Sequence, residues 1–259
     1  EMISEYALAA YLNKKRIKMT KATNCEIYIP ADVDFVIEGY VDTTEDMVVE
    51  GPFGDHTGYY SLPGLYPKMH VTRISYKDNA IYPATIVGIP PMEDAFLGLA
   101  TEQIFLPLIK KIVVPELEDM SLPVEGGFHN LEIAYIKNRY AVQSVKTMNA
   151  MWGAVQLMFV KNIIIVDHDV NVRDPKQIIN AIFENSKFPD NFHFMFGPLD
   201  VLDHANSNPI YGKKMGIDAC RKSDALKKKV DSLDADFFKQ IIDKFKFIYK
   251  FDLGFEGSN

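Results

Sequence analysis

Asn162-Ile163-Ile164-Ile165-Val166-Asp167 is a run of four β-branched residues with polar ends. Such a run suits a strand buried on both faces, because both sides of the pleat then need apolar side chains. The segments around it alternate. Residues 131–137 read as a strand and 141–160 as a helix. Pro175–Asn185 reads as a helix with proline at its first position, where a missing N–H costs nothing. Residues 192–196 read as a further strand. Strand, helix, strand, helix, strand predicts a parallel sheet with packed helices.

Upstream, residues 93–111 show helical spacing, with Phe96, Leu97, Ala100, Ile104 and Leu108 on one stripe and Pro107 expected to kink or split the helix. Gly88-Ile89-Pro90-Pro91 separates this helix from a β-rich first third. There, residues 26–29, 34–41, 71–76 and 81–87 carry strand patterns, and Asp78-Asn79 predicts a hairpin joining the last two. Residues 4–13 read as a short helix, with Ser4 as its cap and Glu5 in its first turn. Downstream, residues 197–220 show little regular pattern but hold aromatic and apolar side chains, which points to an ordered functional loop. Residues 235–249 space Phe237, Phe238, Ile241, Ile242, Phe245 and Ile248 as a helix would. Lys227-Lys228-Lys229 reads as a solvated linker before it. The expected class is therefore α/β, or α+β overall. A β-rich part over 1–91 precedes an α/β part over 92–222 and a helical extension over 223–259.

The chain has 259 residues, 47% hydrophobic and 24% charged, enough for a sizeable core in one or two domains. A net charge of −7 argues against a generic nucleic-acid binder, which would be basic. No run of 18 apolar residues exists, so no membrane span is expected. Cys25 and Cys220 make no metal pattern and read as buried small hydrophobes, with a reducing cytoplasm as the default setting. The opening Glu1-Met2-Ile3 is not a natural translation start, and the chain reads as a segment of a longer protein.

The densest chemistry lies in Glu50-Gly51-Pro52-Phe53-Gly54-Asp55-His56-Thr57-Gly58-Tyr59-Tyr60. Glycine and proline predict a tight turn that aims two carboxylates into one space. Competing charges would let one acid keep its proton near neutral pH, as general-acid chemistry needs.

This stretch resembles the UbiD family of aromatic acid decarboxylases, whose signature is an arginine, a long gap and then Glu-x4-Asp/Glu. Glu50 and Asp55 match its second half. Ser4-Glu5-Tyr6-Ala7 is similar to the segment carrying the family's metal-binding glutamate. Gly197-Pro-Leu-Asp-Val-Leu-Asp-His204 and Gly212-Lys-Lys-Met-Gly-Ile-Asp-Ala219 resemble C-terminal family segments. The resemblance implies a split β-barrel that binds prenylated FMN, followed by an α/β oligomerisation domain. It also implies Mn2+ or Mg2+ at the flavin phosphate, with K+ nearby, and a homo-oligomer, dimer or hexamer. The implied reaction is non-oxidative decarboxylation of a hydroxybenzoate- or naphthoate-type acid in quinone biosynthesis. A peripheral membrane contact stays open. The family's arginine and its Asn and His metal ligands lie upstream of the matched motifs, and only 49 residues precede Glu50. The chain thus resembles the C-terminal half of a member.

Under this resemblance Asp55 is the proton donor and Glu50 the partner of the arginine. Glu5 is a metal ligand, Lys214 (or Lys213) a contact to the flavin phosphate, and Val87 and Leu97 line the pocket. Plainer roles stand beside these: an Asx turn for Asp55, a surface ion pair for Glu50, a helix-dipole interaction for Glu5, a solvated lysine, and core packing for Val87 and Leu97. His56 reads as a structural hydrogen-bonding residue and His204 carries no assignment. Asp167-His168-Asp169 reads as a loop with helix-capping acids, and Gly126-Gly127 as a turn. The competing function is a non-catalytic oligomerisation module of a larger enzyme.

Overall fold

The computed structural model describes residues 4–208 and 210–221, together with Lys239 and Asp243, which are helical. The linker expected at 227–229, and the helix expected over 235–249 apart from those two positions, lie outside the described residues. The chain divides into compact units Glu1–Cys220 and Arg221–Asn259, and the first is described below.

Helix α1 spans Glu5–Asn13. Ser4 holds the cap position with extended backbone but makes no side-chain cap bond, and Lys14 ends the helix in a left-handed conformation. Six short strands follow: β1 Met19–Lys21, β2 Tyr28–Pro30, β3 Phe35–Val41, β4 Val48–Glu50, β5 Gly64–Tyr66 and β6 Met69–Tyr76. They form three antiparallel pairs, β1 with β2, β3 with β6 and β4 with β5. The β3–β6 ladder runs from Phe35↔Tyr76 to Val41↔Met69, with a bulge at Glu38/Gly39. Glycine is needed there, since a Cβ on Gly39 would lie 2.4 Å from the His70 carbonyl oxygen.

Two expectations fail in this region. Residues 81–87 form no strand, although the chain does turn at Asp78-Asn79. The partner of β6 is β3, and Pro83 within the expected strand lacks the N–H that a ladder uses. Ile81, Tyr82 and Ile86 are left exposed.

The α/β part begins with α2, Asp94–Ile112, which runs through Pro107 as one element. Its inward face is Gly98 and Glu102, continued by Leu106 and Ile109. The stripe expected from spacing is thus displaced, and Phe96 and Leu97 are exposed. Five strands follow in one sheet, with β7 Leu117–Ser121, β8 Leu131–Ile136, β9 Asn162–Asp167, β10 Phe192–Pro198 and β11 Tyr211–Asp218. Their order is β10-β11-β9-β8-β7. The central trio β11, β9 and β8 is parallel and both edge strands are antiparallel.

β9 is the middle strand, as its composition requires. Ile163 and Ile165 enter one core with Met148, Met151 and Trp152, while Val166 enters a second with Val172 and Ile178. The helix expected over 141–160 is α3, Gln143–Trp152, interrupted at Gly153 and followed by a 3-10 turn, Val155–Phe159. Helix α4, Pro175–Asn185, is capped by Asp174, whose carboxylate accepts from the Lys176 and Gln177 N–H groups at 2.9 and 3.3 Å. The capping acid is therefore Asp174, beyond the Asp167–Asp169 trio.

Strand β11 is the main correction. It lies within the segment expected to be a loop. Gly212, Lys213, Lys214 and Gly216 are poor strand formers, and pairing on both sides is what makes them a strand.

Candidate active site

Glu50 ends β4 opposite Gly64, and residues 51–63 leave the ladder as an excursion. Gly51 and Gly58 have φ of +89° and +85°, conformations that glycine adopts without steric cost. The excursion folds into a small hairpin. The Ser61 N–H donates to the Phe53 carbonyl at 2.8 Å, and the Phe53 N–H donates to Ser61 Oγ at 2.9 Å. The Asp55 N–H donates to the Tyr59 carbonyl at 3.0 Å, and the Gly58 N–H returns to the Asp55 carbonyl at 3.0 Å. Asp55 therefore stands at the hairpin tip.

Its carboxylate is organised locally. Asp55 Oδ2 accepts from Thr57 Oγ1 at 2.8 Å and from the Thr57 N–H at 3.2 Å, the geometry of an Asx turn. Asp55 Oδ1 faces His56 Nδ1 at 3.4 Å. Partial burial pushes the carboxyl up, but the Thr57 hydrogen bonds and the His56 ring outweigh it and hold Asp55 below the usual carboxylate range. At rest Asp55 is thus the charged form, so it is not the acid that the turn was expected to leave protonated among the pair Glu50 and Asp55.

The α/β part supplies the hairpin's surroundings. His56 stacks on Phe128 at 4.6 Å, and its Nε2 lies 3.1 Å from His129 Nε2. His129 Nδ1 faces Asp200 Oδ2 at 3.4 Å. Thr57 Oγ1 lies 3.1 Å from His204 Nε2, and Tyr59 packs on the same ring at 4.8 Å. Phe128 and His129 precede β8, and Asp200 and His204 follow β10. Phe128 can sit there because α2 presents Gly98, where a Cβ would lie 2.9 Å from Phe128 Cβ. Residues 87–90 close another side. A Cβ on Gly54 would lie 3.1 Å from Val87 Cγ2, and one on Gly58 would lie 3.0 Å from Pro90 Cδ.

The expected site residues separate into two groups. Asp55 and Val87 flank the same hairpin. Glu50 is exposed at its base, and no hydrogen bond or ion pair joins its side chain to another described residue. Leu97 is exposed on α2, and Glu5 is exposed on the first turn of α1. Lys214 is elsewhere. It is 1% exposed, and its ammonium donates to the Val160 carbonyl at 3.0 Å and to the Met158 carbonyl. The structure buries this group inside the α/β part. Burial pulls its pKa down to about 8.

His129 and Asp200 carried no assignment in the sequence, because residues 73 and 145 positions from His56 and Asp55 leave no local signal. His204 and the Gly197–His204 segment were visible only through family resemblance.

The donor set tests which groups the residues fit. Among the described residues no three His, Cys, Asp or Glu side chains gather to hold a metal ion. Glu5 is then at most one donor of a set. A flat apolar ring fits better, since Val87 and Ile89, 46% and 84% exposed, flank the hairpin with their side chains uncovered.

Comparison with known proteins identifies the two parts of the fold. Residues 1–90 match the 3-octaprenyl-4-hydroxybenzoate carboxy-lyase Rift-related domain, and residues 95–219 match the C-terminal domain of the same carboxy-lyase. An uncharacterized protein of Archaeoglobus fulgidus is 46% identical over 223 residues, covering 85% of this chain and 46% of its own length. One from Aquifex aeolicus is 42% identical over 220 residues, covering 85% and 45%. The chain thus spans about half the length of the curated relatives it matches, or less. Among solved structures, the closed form of Sedimentibacter hydroxybenzoicus vanillic acid decarboxylase superposes with a TM-score of 0.78 at 24% identity, over 95% of this chain and 53% of that one. The UbiD-class enzyme HmfF from Pelotomaculum thermopropionicum, in complex with FMN, gives 0.70 at 22%, over 93% and 54%. An evolved dimeric form of that enzyme, in complex with prFMN, gives 0.67 at 21%, over 91% and 52%. With both domain models matched in order across residues 1–219, the chain belongs to the UbiD family.

Proposed function

We propose that this chain carries the proton-donating part of a prenylated-FMN-dependent decarboxylase. Its substrate in this reading is a hydroxybenzoate- or naphthoate-type acid on a quinone pathway. The supporting observation is Asp55, fixed at the tip of a glycine-bounded hairpin beside the exposed apolar side chains Val87 and Ile89. Structural relatives solved with FMN or prFMN support the choice of cofactor.

When bound, prenylated FMN supplies an electron sink for the carbon that loses carbon dioxide. The chain's own residues supply position and a proton. Val87 and Ile89 offer an apolar wall on which an aromatic ring loses water. Asp55 delivers a proton to the carbon left behind, and Thr57 fixes the carboxylate that does so. Glu50, at the hairpin base, is the proposed partner of an arginine that lies outside this chain. Glu5 is proposed as one ligand of the divalent metal, and no step is assigned to that ion.

The reading is tested with the intact protein reconstituted with prenylated FMN and supplied with hydroxylated aromatic acids. Asp55→Asn is expected to lower kcat by about 10²–10⁴-fold, the range for removing a positioned general acid. Full activity in that variant would remove Asp55 from the role.

Assembly is a second, compatible reading. Helix α2 exposes Phe96, Leu97, Leu99 and Phe105, and edge strand β10 exposes Phe194 and Phe196, more large apolar surface than a lone domain usually shows.

A further inference from the structure

We infer that His56 and His129 share one proton and load Asp55 with it, with Asp200 as the counter-charge at the far end. The inference rests on Asp55 being the proton donor and deepens that reading. His129 and Asp200 act through Asp55 and are positioning residues.

Two imidazole nitrogens 3.1 Å apart form a hydrogen bond only when one carries a proton and the other does not. That places a single proton between His56 Nε2 and His129 Nε2. The remaining ring nitrogens face carboxylates, His56 Nδ1 toward Asp55 and His129 Nδ1 toward Asp200, each at 3.4 Å. Ionised carboxylates favour N–H on both. When both Nδ1 atoms carry protons as well, the four ring nitrogens hold three, and the two rings together carry one positive charge between two negative ends.

The surroundings limit that count to three. His129 Nδ1 is buried and makes no hydrogen bond, so the Asp200 carboxylate is the charge set against it. Burial is the largest effect on His129 and pulls its pKa down, Asp200 and Asp55 raise it and His56 lowers it; the net direction is down, so the pair takes up its one positive charge as pH falls and a second is disfavoured. Phe128 covers the His56 ring. Asn130 adjoins His129 on its own segment. On the hairpin side the facing groups are Asp55 and, through Thr57, His204. From the loop after β10 comes Asp200, and the nearby Asp203 is already paired with Lys161 at 2.8 Å.

The transfer balances. His56 Nδ1 gives its proton to Asp55 Oδ1, and His56 Nε2 takes the shared proton from His129 Nε2. His129 keeps its Nδ1 proton toward Asp200, and the pair becomes neutral as Asp55 becomes neutral. Asp55 then gives its proton to the substrate carbon, and a solvent proton restores the charge on the pair. The 3.4 Å contact between His56 and Asp55 must contract to roughly 2.7–2.9 Å for transfer, a change within side-chain motion. A carboxylate held low by Thr57 can thus still act as an acid.

The test uses the intact prenylated-FMN protein and two readouts. In the first, kcat and KM are followed against pH for wild type, His129→Gln and Asp200→Asn. Wild-type kcat is expected to fall as pH rises and the pair loses its proton. In His129→Gln, which can hydrogen-bond but not titrate, kcat should drop about 10–100-fold at unchanged KM and this basic limb should move. In the second, ¹⁵N NMR of the imidazole nitrogens, which needs no activity, should show His56 and His129 titrating together in wild type. Asp200→Asn should shift the His129 titration to lower pH. Should His129→Gln fail to fold, Asp200→Asn carries both measurements. An active enzyme whose variants keep wild-type kcat and pH profile, or whose two rings titrate independently, overturns the inference. A wild type inert on every aromatic acid tried, with coupled rings, overturns the decarboxylase reading instead.

Discussion

Glu132 lies on β8 with both carboxyl oxygens buried and without a hydrogen bond. Burial, and then the charge of Glu102, push its pKa up to about 8. The folded state therefore binds this proton more tightly than the unfolded chain, where a glutamate titrates near 4.5. Its contribution is fully present below that value and is lost as pH rises towards and through about 8. Glu132→Gln cannot ionise, so its melting temperature should decline less than that of wild type between pH 5 and about 8 in thermal scans. Parallel curves would place the Glu132 proton outside the stability balance. The neighbouring Glu102 is handled differently. It is 1% exposed, accepts the Leu122 N–H at 2.6 Å and pairs with Arg173 at 2.7 Å. Arg173 also reaches Asp119 and the Met120 carbonyl. Arg173→Ala would strand a buried carboxylate and should cost about 3–5 kcal/mol in chemical denaturation.

At the scale of elements, the close approach of α2 and α3 to their neighbours depends on two glycines. Gly98 lets α2 meet Phe128, which in turn supports His56. Gly216 lets β11 lie under α3, where a Cβ would sit 2.4 Å from Met148 Sδ and 3.1 Å from Trp152. Gly216→Ala should therefore overpack the core at about 1–3 kcal/mol, and Met148→Ala in the same chain should recover part of that loss. Additive losses in the double variant would mean that the clash does not set the cost. Lys214, one strand position away in sequence from Met215 and two from Gly216, belongs to the same layer. Its ammonium satisfies the Val160 carbonyl, which also accepts Trp152 Nε1 at 3.0 Å.

At the scale of the molecule, the β-rich and α/β parts meet at the hairpin through the two histidines, with the Thr57–His204 contact beside them. The exposed apolar side chains on α2 and β10 call for a cover. In the proposed reading a second copy of the protein supplies part of it. Sizing of residues 1–259 against residues 1–224 should then show an oligomer in at least one case. Monomers in both would count against assembly by this segment.

The sequence by itself determined the elements whose signals are local. The β9 run was legible because a strand buried on both faces needs apolar residues at every position, and α4 because proline at the first position marks it. Glycine and proline located a turn at Asp55, and motif resemblance gave the family. Only the tertiary structure decided the rest. Residues 81–87 had a strand pattern but found no ladder, whereas Tyr211–Asp218 had none and became a strand between two others. Lys214 looked like a surface cation and was drawn into the core by two carbonyls that need a donor. His129 and Asp200 came to the hairpin from distant segments, and with His56 they surround the acid with charge. Strand pairing and the charge around a carboxylate are set by groups far apart in the chain, and local pattern does not encode which of them will meet.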